Sequence, residues 1–384
     1  MRVCLIWRRM KGFFNSMTFK ILISALLTFL IFGCSSNEEI ESNHDFYNYL
    51  QGLKALNIES TTVFDDENLS FNTPLRSVVD EDGNLIVVNH TDWTLHYVKE
   101  NGELIDKKGG LGRGPGEFIG INDLTLGCDN TLFALDKRLQ KLSSYSFKEN
   151  RLEHLGDKLL PNYSPLSMQS FYDCGNKGKF GIFKLFLSSD DNFNSLTVYK
   201  LNDSLQLKEK VIELTSDEMI KTGNEVKDNA IGFKNYWHFK EDKLYYTYSD
   251  SLDVNILELT DSKRQSISAQ KVPTFEFSEQ LRSEFKEYFG PNISAMDGLE
   301  NEIENRQVLP FFYSYTANDK FSFFTISNLG SKPGIILRLN HETQELKTID
   351  SPSIFQLFDV HENKLFGIQN VDGDQSLVRI TLSE

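Results

Sequence analysis

The chain has 384 residues, of which 30 are Phe and 14 are Tyr, and a formal net charge of −15. This surplus of acid excludes a nucleic-acid partner and excludes charge-driven adsorption to anionic lipid, because both are polyanions. The length allows one large domain with a sizeable core.

Arg2, Arg8, Arg9, Lys11 and Lys20 precede an apolar run, Ile21–Phe32, broken only by Ser24 and Thr28. The run is short of the about 20 residues that a membrane-spanning helix needs. It fits the hydrophobic region of a signal peptide, roughly 7–15 residues. Leu30-Ile-Phe-Gly-Cys34 resembles the lipobox of bacterial lipoproteins, in which a cysteine after a small residue receives diacylglycerol. Phe32 stands where that pattern prefers a small residue. Residues 1–33 are therefore expected to be a lipoprotein signal peptide and Cys34 the lipidated residue. Met17-Thr-Phe-Lys20 is a basic start in its own right, so translation from Met17 is a second candidate. Removing residues 1–33 leaves 35 basic against 55 acidic residues, about −20. Residues 34–58 are expected to be the lipidated cysteine and a flexible acidic tether, beginning with the polar stretch Ser35–Asn43. An acidic stretch after the cysteine resembles the surface-export signals of Bacteroidetes lipoproteins, and a solvated linker explains it equally. An outer-membrane anchor is expected, with the periplasmic and cell-surface sides both open.

Beyond the tether, alternating runs of Phe, Tyr, Val, Ile and Thr are separated by Asn, Asp and Gly turns, the pattern of short antiparallel strands. Leu75–Asp80, Leu85–Asn89, Thr94–Val98 and Glu103–Asp106 are four strands on tight turns, which make one propeller blade. Similar units start at Asp123, Leu166, Tyr236, Phe311 and Ile354, each roughly 31–47 residues long. The sixth unit has only three strands, and Glu59–Phe64 is a strand without a partner in its own unit. The N-terminal strand is expected to complete the sixth blade. Residues 59–384 are thus read as an all-β, six-bladed β-propeller. Ser278–Phe289 interrupts the pattern, with Leu281, Phe285, Tyr288 and Phe289 at helical spacing and Gly290-Pro291 as a stop. Gly298–Asn305 adds a second short helix. A small helical insertion over about 272–308 is expected between blades 4 and 5, either as cover for a blade edge or as a lid or docking element.

Gly109–Phe118 is rich in glycine but lacks the Lys-Ser/Thr and following helix of a phosphate-binding loop. Its glycines suit a sharp crossover between blades, where positive φ angles are needed. Gly112-Arg-Gly-Pro-Gly-Glu-Phe118, with Asp123–Leu126, Asn130–Asp136 and Gln140–Tyr145, resembles the repeat of NHL-type and TolB-like six-bladed propellers, and in particular propeller lipoproteins of the Bacteroidetes type. The motif covers one repeat; the other five units match in strand pattern. The resemblance implies the fold, and binding more readily than catalysis. Arg113 and Glu117 are candidates to pair or to line one end of the channel. Trp93 and Trp237 are candidates for stacking on a ligand, as are Tyr236 and Tyr313, with packing between blades as the alternative.

Cys128 and Cys174 lie in equivalent turns of neighbouring units. They are expected to be separate thiols, because such turns usually lie further apart than a disulfide allows. The seven histidines show no ligand spacing. Asp80–Asn84 opens like a calcium loop but has Thr91 at the closing acidic position, and is read as a hairpin turn. Some six-bladed propellers hold calcium in the channel and act as lactonases or phosphotriesterases. Asp92, Asp136, Asn194 and Asp250 are the candidates for such a site. No nucleophile elbow and no His-Glu-x-x-His is present. No catalytic residue or metal ligand is assigned and no cofactor is expected, calcium alone being left open. The expected protein is a monomeric binding or scaffold module, membrane-bound through its lipid, for a peptide, glycan or envelope protein. The alternative is a calcium-dependent hydrolase or lyase with its site in the channel.

Overall fold

The computed structural model describes residues 44–64, 74–149, 151–185, 193–222, 225–269, 271–289, 298–326, 334–351, 354–371 and 374–383. The leader and Cys34 lie outside them. The chain begins with helix α1 (His44–Gly52) and strands β1 (Ala55–Leu56) and β2 (Ile58–Val63). Next come β3 (Pro74–Val79), β4 (Leu85–Asn89), β5 (Thr94–Val98) and β6 (Leu104–Gly109), then β7 (Ile121–Leu126), β8 (Leu132–Asp136), β9 (Lys141–Lys148) and β10 (Arg151–Leu159). A five-stranded sheet holds β11 (Leu166–Asp173), β12 (Lys179–Leu185), β13 (Phe193–Leu201), β14 (Leu207–Thr222) and β15 (Glu225–Asp228). It is followed by β16 (Asn235–Lys240), β17 (Lys243–Tyr248), β18 (Val254–Glu258) and β19 (Arg264–Ile267). Helices α2 (Glu279–Phe289) and α3 (Leu299–Asn305) precede β20 (Phe312–Ala317), β21 (Phe321–Ile326), β22 (Ile335–Asn340) and β23 (Leu346–Asp350), and the last strands are β24 (Ile354–His361), β25 (Lys364–Val371) and β26 (Asp374–Leu382).

Six sheets result. Strand β2 pairs antiparallel with β26, Thr61 opposite Ile380, and completes the sheet of β24–β26 as its outermost strand. Arg379 fixes this closure. Its guanidinium donates to the Thr62 hydroxyl at 3.0 Å and to the Glu100 carboxylate at 2.8 Å, and Glu100 also meets Lys364 at 2.8 Å. Because the closing sheet holds the first long strand of the chain, it is blade 1. Blades 2 to 6 then follow as β3–β6, β7–β10, β11–β15, β16–β19 and β20–β23. The helices consequently follow blade 5, which corrects the expected place between blades 4 and 5. The sequence count began at Leu75 and so ran one blade behind.

The first strands of the blades face the axis: β24, β3, β7 and β11 touch in turn, as do β16, β20 and β24. Side chains stitch them together. Thr125 Oγ1 donates to the Phe171 carbonyl, Leu357 N to Ser314 Oγ and Val79 N to Asp359 Oδ2, at 2.6, 3.1 and 2.7 Å. Aromatic pairs fill the gaps between blades, among them Tyr172 stacked on Phe239 at 4.6 Å and Phe133 edge-on to Phe171 at 5.0 Å. Such ring contacts combine large buried area with a defined geometry.

The structure makes two further corrections. Cys128 and Cys174 form a disulfide, with Cα atoms 4.6 Å apart. Their turns follow β7 and β11, innermost strands that converge on the axis, and Cys128 N already bonds the Asp173 carbonyl at 2.9 Å. Second, the expected flexible tether to residue 58 includes folded chain from residue 44. Phe46, Tyr47 and Leu50 form one apolar stripe of α1 and are buried. Phe46 stacks on Phe275 at 4.8 Å and meets Phe311 at 5.1 Å, so the helix finds its cover in residues distant in sequence.

Candidate functional site

The glycine-rich loop between β6 and β7 makes the sharp crossover: Gly109, Gly110 and Gly116 have φ of 87°, 131° and 70°, accessible to glycine without strain. Blade 3 holds the loop down. Lys141 Nζ donates to the Glu117 carbonyl at 2.6 Å and pairs with Asp157 at 3.2 Å. Asp157 also accepts from Gly116 N at 3.1 Å and meets His154 Nε2 at 2.8 Å. Burial acts to raise the Asp157 carboxyl, but hydrogen bonding from Ser143, His154, Gly116 and Lys141 outweighs it and holds the group down at about 2. This loop is a structural clasp.

The predicted ligand-face residues divide. Trp93 shares a corner with the loop, since its carbonyl accepts from Gly110 N at 3.2 Å. Arg113 and Glu117 are exposed in the loop. The Glu117 carboxylate turns back onto Gly114 N at 2.7 Å. Trp237 lies elsewhere, packed into the core between blades 4 and 5. Of the calcium candidates, Asp136 is buried and accepts from Ile119, Gly120, Arg138 and Leu139 N at 2.8–3.1 Å, which uses its lone pairs. Asp92 caps its own turn through Thr94. The Asn194 side chain lies outside the described residues. Among the described residues, no three His, Cys, Asp or Glu side chains come together as a metal site. Asp80 is the hairpin anchor expected, accepting from Asp82 N, Asn84 N and the Tyr97 hydroxyl at 2.6–3.0 Å.

A different group of residues converges where the innermost strands begin. Arg76 on β3 is exposed, and Asp123 on β7 and Lys137 after β8 are half-buried. Lys137 Nζ donates to Gln169 Oε1 on β11 at 2.6 Å. Lys184 on β12 lies between Asp217 and Asp228 at 3.4 and 3.3 Å. Burial lowers the Lys137 ammonium to about 8; Asp123 opposes the fall, and the like charges of Arg76 and Lys184 add to it. Burial conversely raises the Asp123 carboxyl, against the pull of Arg76, Ser170 and Lys137. Tyr236 at the start of β16 packs its ring against Phe312 at 5.2 Å, and Tyr313 lies at the start of β20; burial holds both hydroxyls protonated. Acids and bases pushed in opposite directions at one end of the axis mark a functional-site candidate. Sequence reasoning named the two tyrosines and missed the charges. The available signal was a cation inside an apolar strand: Arg76 in Pro74-Leu-Arg-Ser-Val-Val79 and Lys184 in Phe180-Gly-Ile-Phe-Lys-Leu185.

Further along the axis, His238 Nε2 on β16 lies 3.5 Å from Asp359 on β24, with burial lowering the imidazole's proton affinity against the pull of Asp359.

A comparison with curated protein sequences finds no match. Among solved structures, an exported protein of Bacteroides fragilis is similar with a TM-score of 0.53 at 10% identity, covering 90% of this chain and 98% of that one. A member of the DUF4221 family from Bacteroides vulgatus gives 0.49 at 12% identity over 87% and 99%. Virginiamycin B lyase from Staphylococcus aureus gives 0.43 at 10% over 84% and 99%. At these identities the likeness is one of fold. The family DUF5128, described as a 6-bladed beta-propeller, matches residues 66–349. The chain belongs to this family of six-bladed propellers.

Proposed function

We propose that the protein is a lipid-anchored binding module of the cell envelope, tethered to the outer membrane through Cys34, with its ligand site at the end of the axis where the innermost strands begin. The observation that carries the site is the convergence of Arg76, Asp123, Lys137, Gln169 and Lys184 from three blades whose innermost strands touch in turn. The Cys128–Cys174 disulfide supports export, because such bonds persist in oxidising compartments. No helix of the described residues is long and apolar enough to cross a membrane. Peptides, glycans and envelope proteins are the ligand classes such a polar site accepts. The calcium-dependent hydrolase reading would need converging oxygen ligands, and the described residues offer no such cluster.

The test is binding of the full chain to glycan and peptide arrays, beside the double variant Arg76→Gln/Lys137→Gln and the loop variant Arg113→Ala. Loss in the double variant alone is expected; equal binding by all three proteins removes the site. The anchor has its own check: Cys34→Ser is expected to abolish labelled-palmitate incorporation and release the protein from membranes. Unchanged labelling would refute the anchor.

A further inference from the structure

We propose that the end of the axis where the innermost strands begin recognises an oxyanion of its ligand (a carboxylate, sulfate or phosphate group) seated between Arg76 and Lys137 and backed by Lys184. This rests on the reading above and gives the site its chemistry. Three cations come from three neighbouring blades whose innermost strands touch in turn, with Lys137 bonded across to Gln169 of the next blade, in a chain whose formal charge is −15. Three carboxylates stand near them, and Asp228 also favours the charged form of Lys137. Asp217 and Asp228 are engaged by Lys184, and Asp217 also accepts from Asn235 N at 2.8 Å. Asp123 is itself disfavoured as an anion by burial. The cations therefore repel one another in a partly desolvated place, and an entering anion relieves that repulsion.

The remaining donors suit the same guest. Lys137 spends one N–H on Gln169 and has two more. Arg76 offers a planar fork that matches an oxyanion with two parallel hydrogen bonds. An ammonium group would meet like charge at Arg76 and Lys137. The acidic balance of the whole chain repels anions elsewhere, which makes this cationic point selective.

The proposal is tested by calorimetric titration of the full chain with a galacturonate trisaccharide, galactose 6-sulfate and galactose 6-phosphate, each beside its uncharged counterpart. At least one charged probe is expected to bind roughly tenfold more tightly than its neutral partner, the advantage of one charge-assisted hydrogen bond. The bound member of the three identifies which oxyanion is preferred. Arg76→Gln and Lys137→Gln should each remove most of that advantage, while Lys137→Arg keeps it. Raising salt from about 50 to about 500 mM should weaken the charged probe roughly tenfold through screening. Raising pH through about 8, where Lys137 loses its charge, should weaken it in the wild type and not in Lys137→Arg. Melting temperatures of the variants show that they are folded. Failure of every charged probe to bind better than its neutral counterpart overturns the oxyanion. A neutral probe bound by wild type and lost in both variants keeps this end of the axis as the site and removes the oxyanion. Binding that neither variant disturbs removes both.

Discussion

Asp157 shows how a single side chain sets a loop. Its carboxylate ties together Gly116 N, His154 and the nearly buried Lys141, so the glycine-rich crossover rests on one charge. Asp157→Asn should cost about 1–3 kcal/mol, because Lys141 is left buried with a weakened partner. A fall in denaturation midpoint measures this, and an unchanged midpoint would show that the clasp is dispensable. The pH sense follows from the depressed carboxyl. The contribution is complete above the ordinary aspartate range and is lost as pH falls through about 2. Stability of Asp157→Asn should therefore converge with wild type in strong acid. Lys137 has the opposite lesson: its proton is held less tightly in the fold than in the unfolded chain. The lysine thus opposes folding in full below about pH 8, and the penalty fades as pH rises towards the ordinary lysine value. Glu117, a candidate for one end of the channel, turns its carboxylate onto the loop's own backbone at Gly114 N.

At the scale of elements, the additions to the propeller form one assembly. Arg282 of α2 donates to the carbonyls of Ile303, Glu304 and Arg306, capping the end of α3. Arg306 reaches Glu218 on the long strand β14 and Glu302 on α3, which fastens the helices to blade 4. Antiparallel bonding of Phe277 N to Gln307 O and Leu309 N to Phe275 O closes the base of the insertion. Helix α1 packs on this base through Phe46, Tyr47 and Leu50. Tether and insertion thus share a core, which favours a packed cover over a free lid. Phe46→Ala should destabilise by about 3–5 kcal/mol, the usual cost of emptying a buried aromatic site. Limited proteolysis would then cut between residues 44 and 54 well below global unfolding. Resistance equal to wild type would show that α1 is held by something other than this ring.

For the molecule as a whole, stability depends on closing the ring. One closure is β2 on β26, reinforced by Arg379 and Glu100 between blades 1 and 2. Another is the disulfide joining the turns of blades 3 and 4 across a separation of 46 residues. Constraint of the unfolded chain by a loop of this length is worth about 4 kcal/mol in the entropy account. Cys128→Ser/Cys174→Ser should lower stability by about 2–4 kcal/mol, and a reductant should shift the wild-type melting curve towards that of the variant. Coincident wild-type curves with and without reductant would mean that the bond contributes nothing.

Most strand positions, the turns, the blade number and the closing strand were legible in the sequence through alternation of period two, Asp-Gly and Asn-Gly turns, and a terminal strand without a neighbour; β10, β15 and the run of β14 beyond Lys210 were not. The glycine crossover was legible too, since backbone angles are a property of single residues. Pairings across the axis were not. Cys128 meets Cys174 because innermost strands converge, and α1 folds because Phe275 and Phe311 lie beneath it. Arg76, Lys137 and Lys184 are each an isolated cation in their own repeat, and nothing in local periodicity says that three blades aim them at one place. Their meeting is a product of the ring's curvature, so the fold came from short-range pattern and the site from long-range geometry.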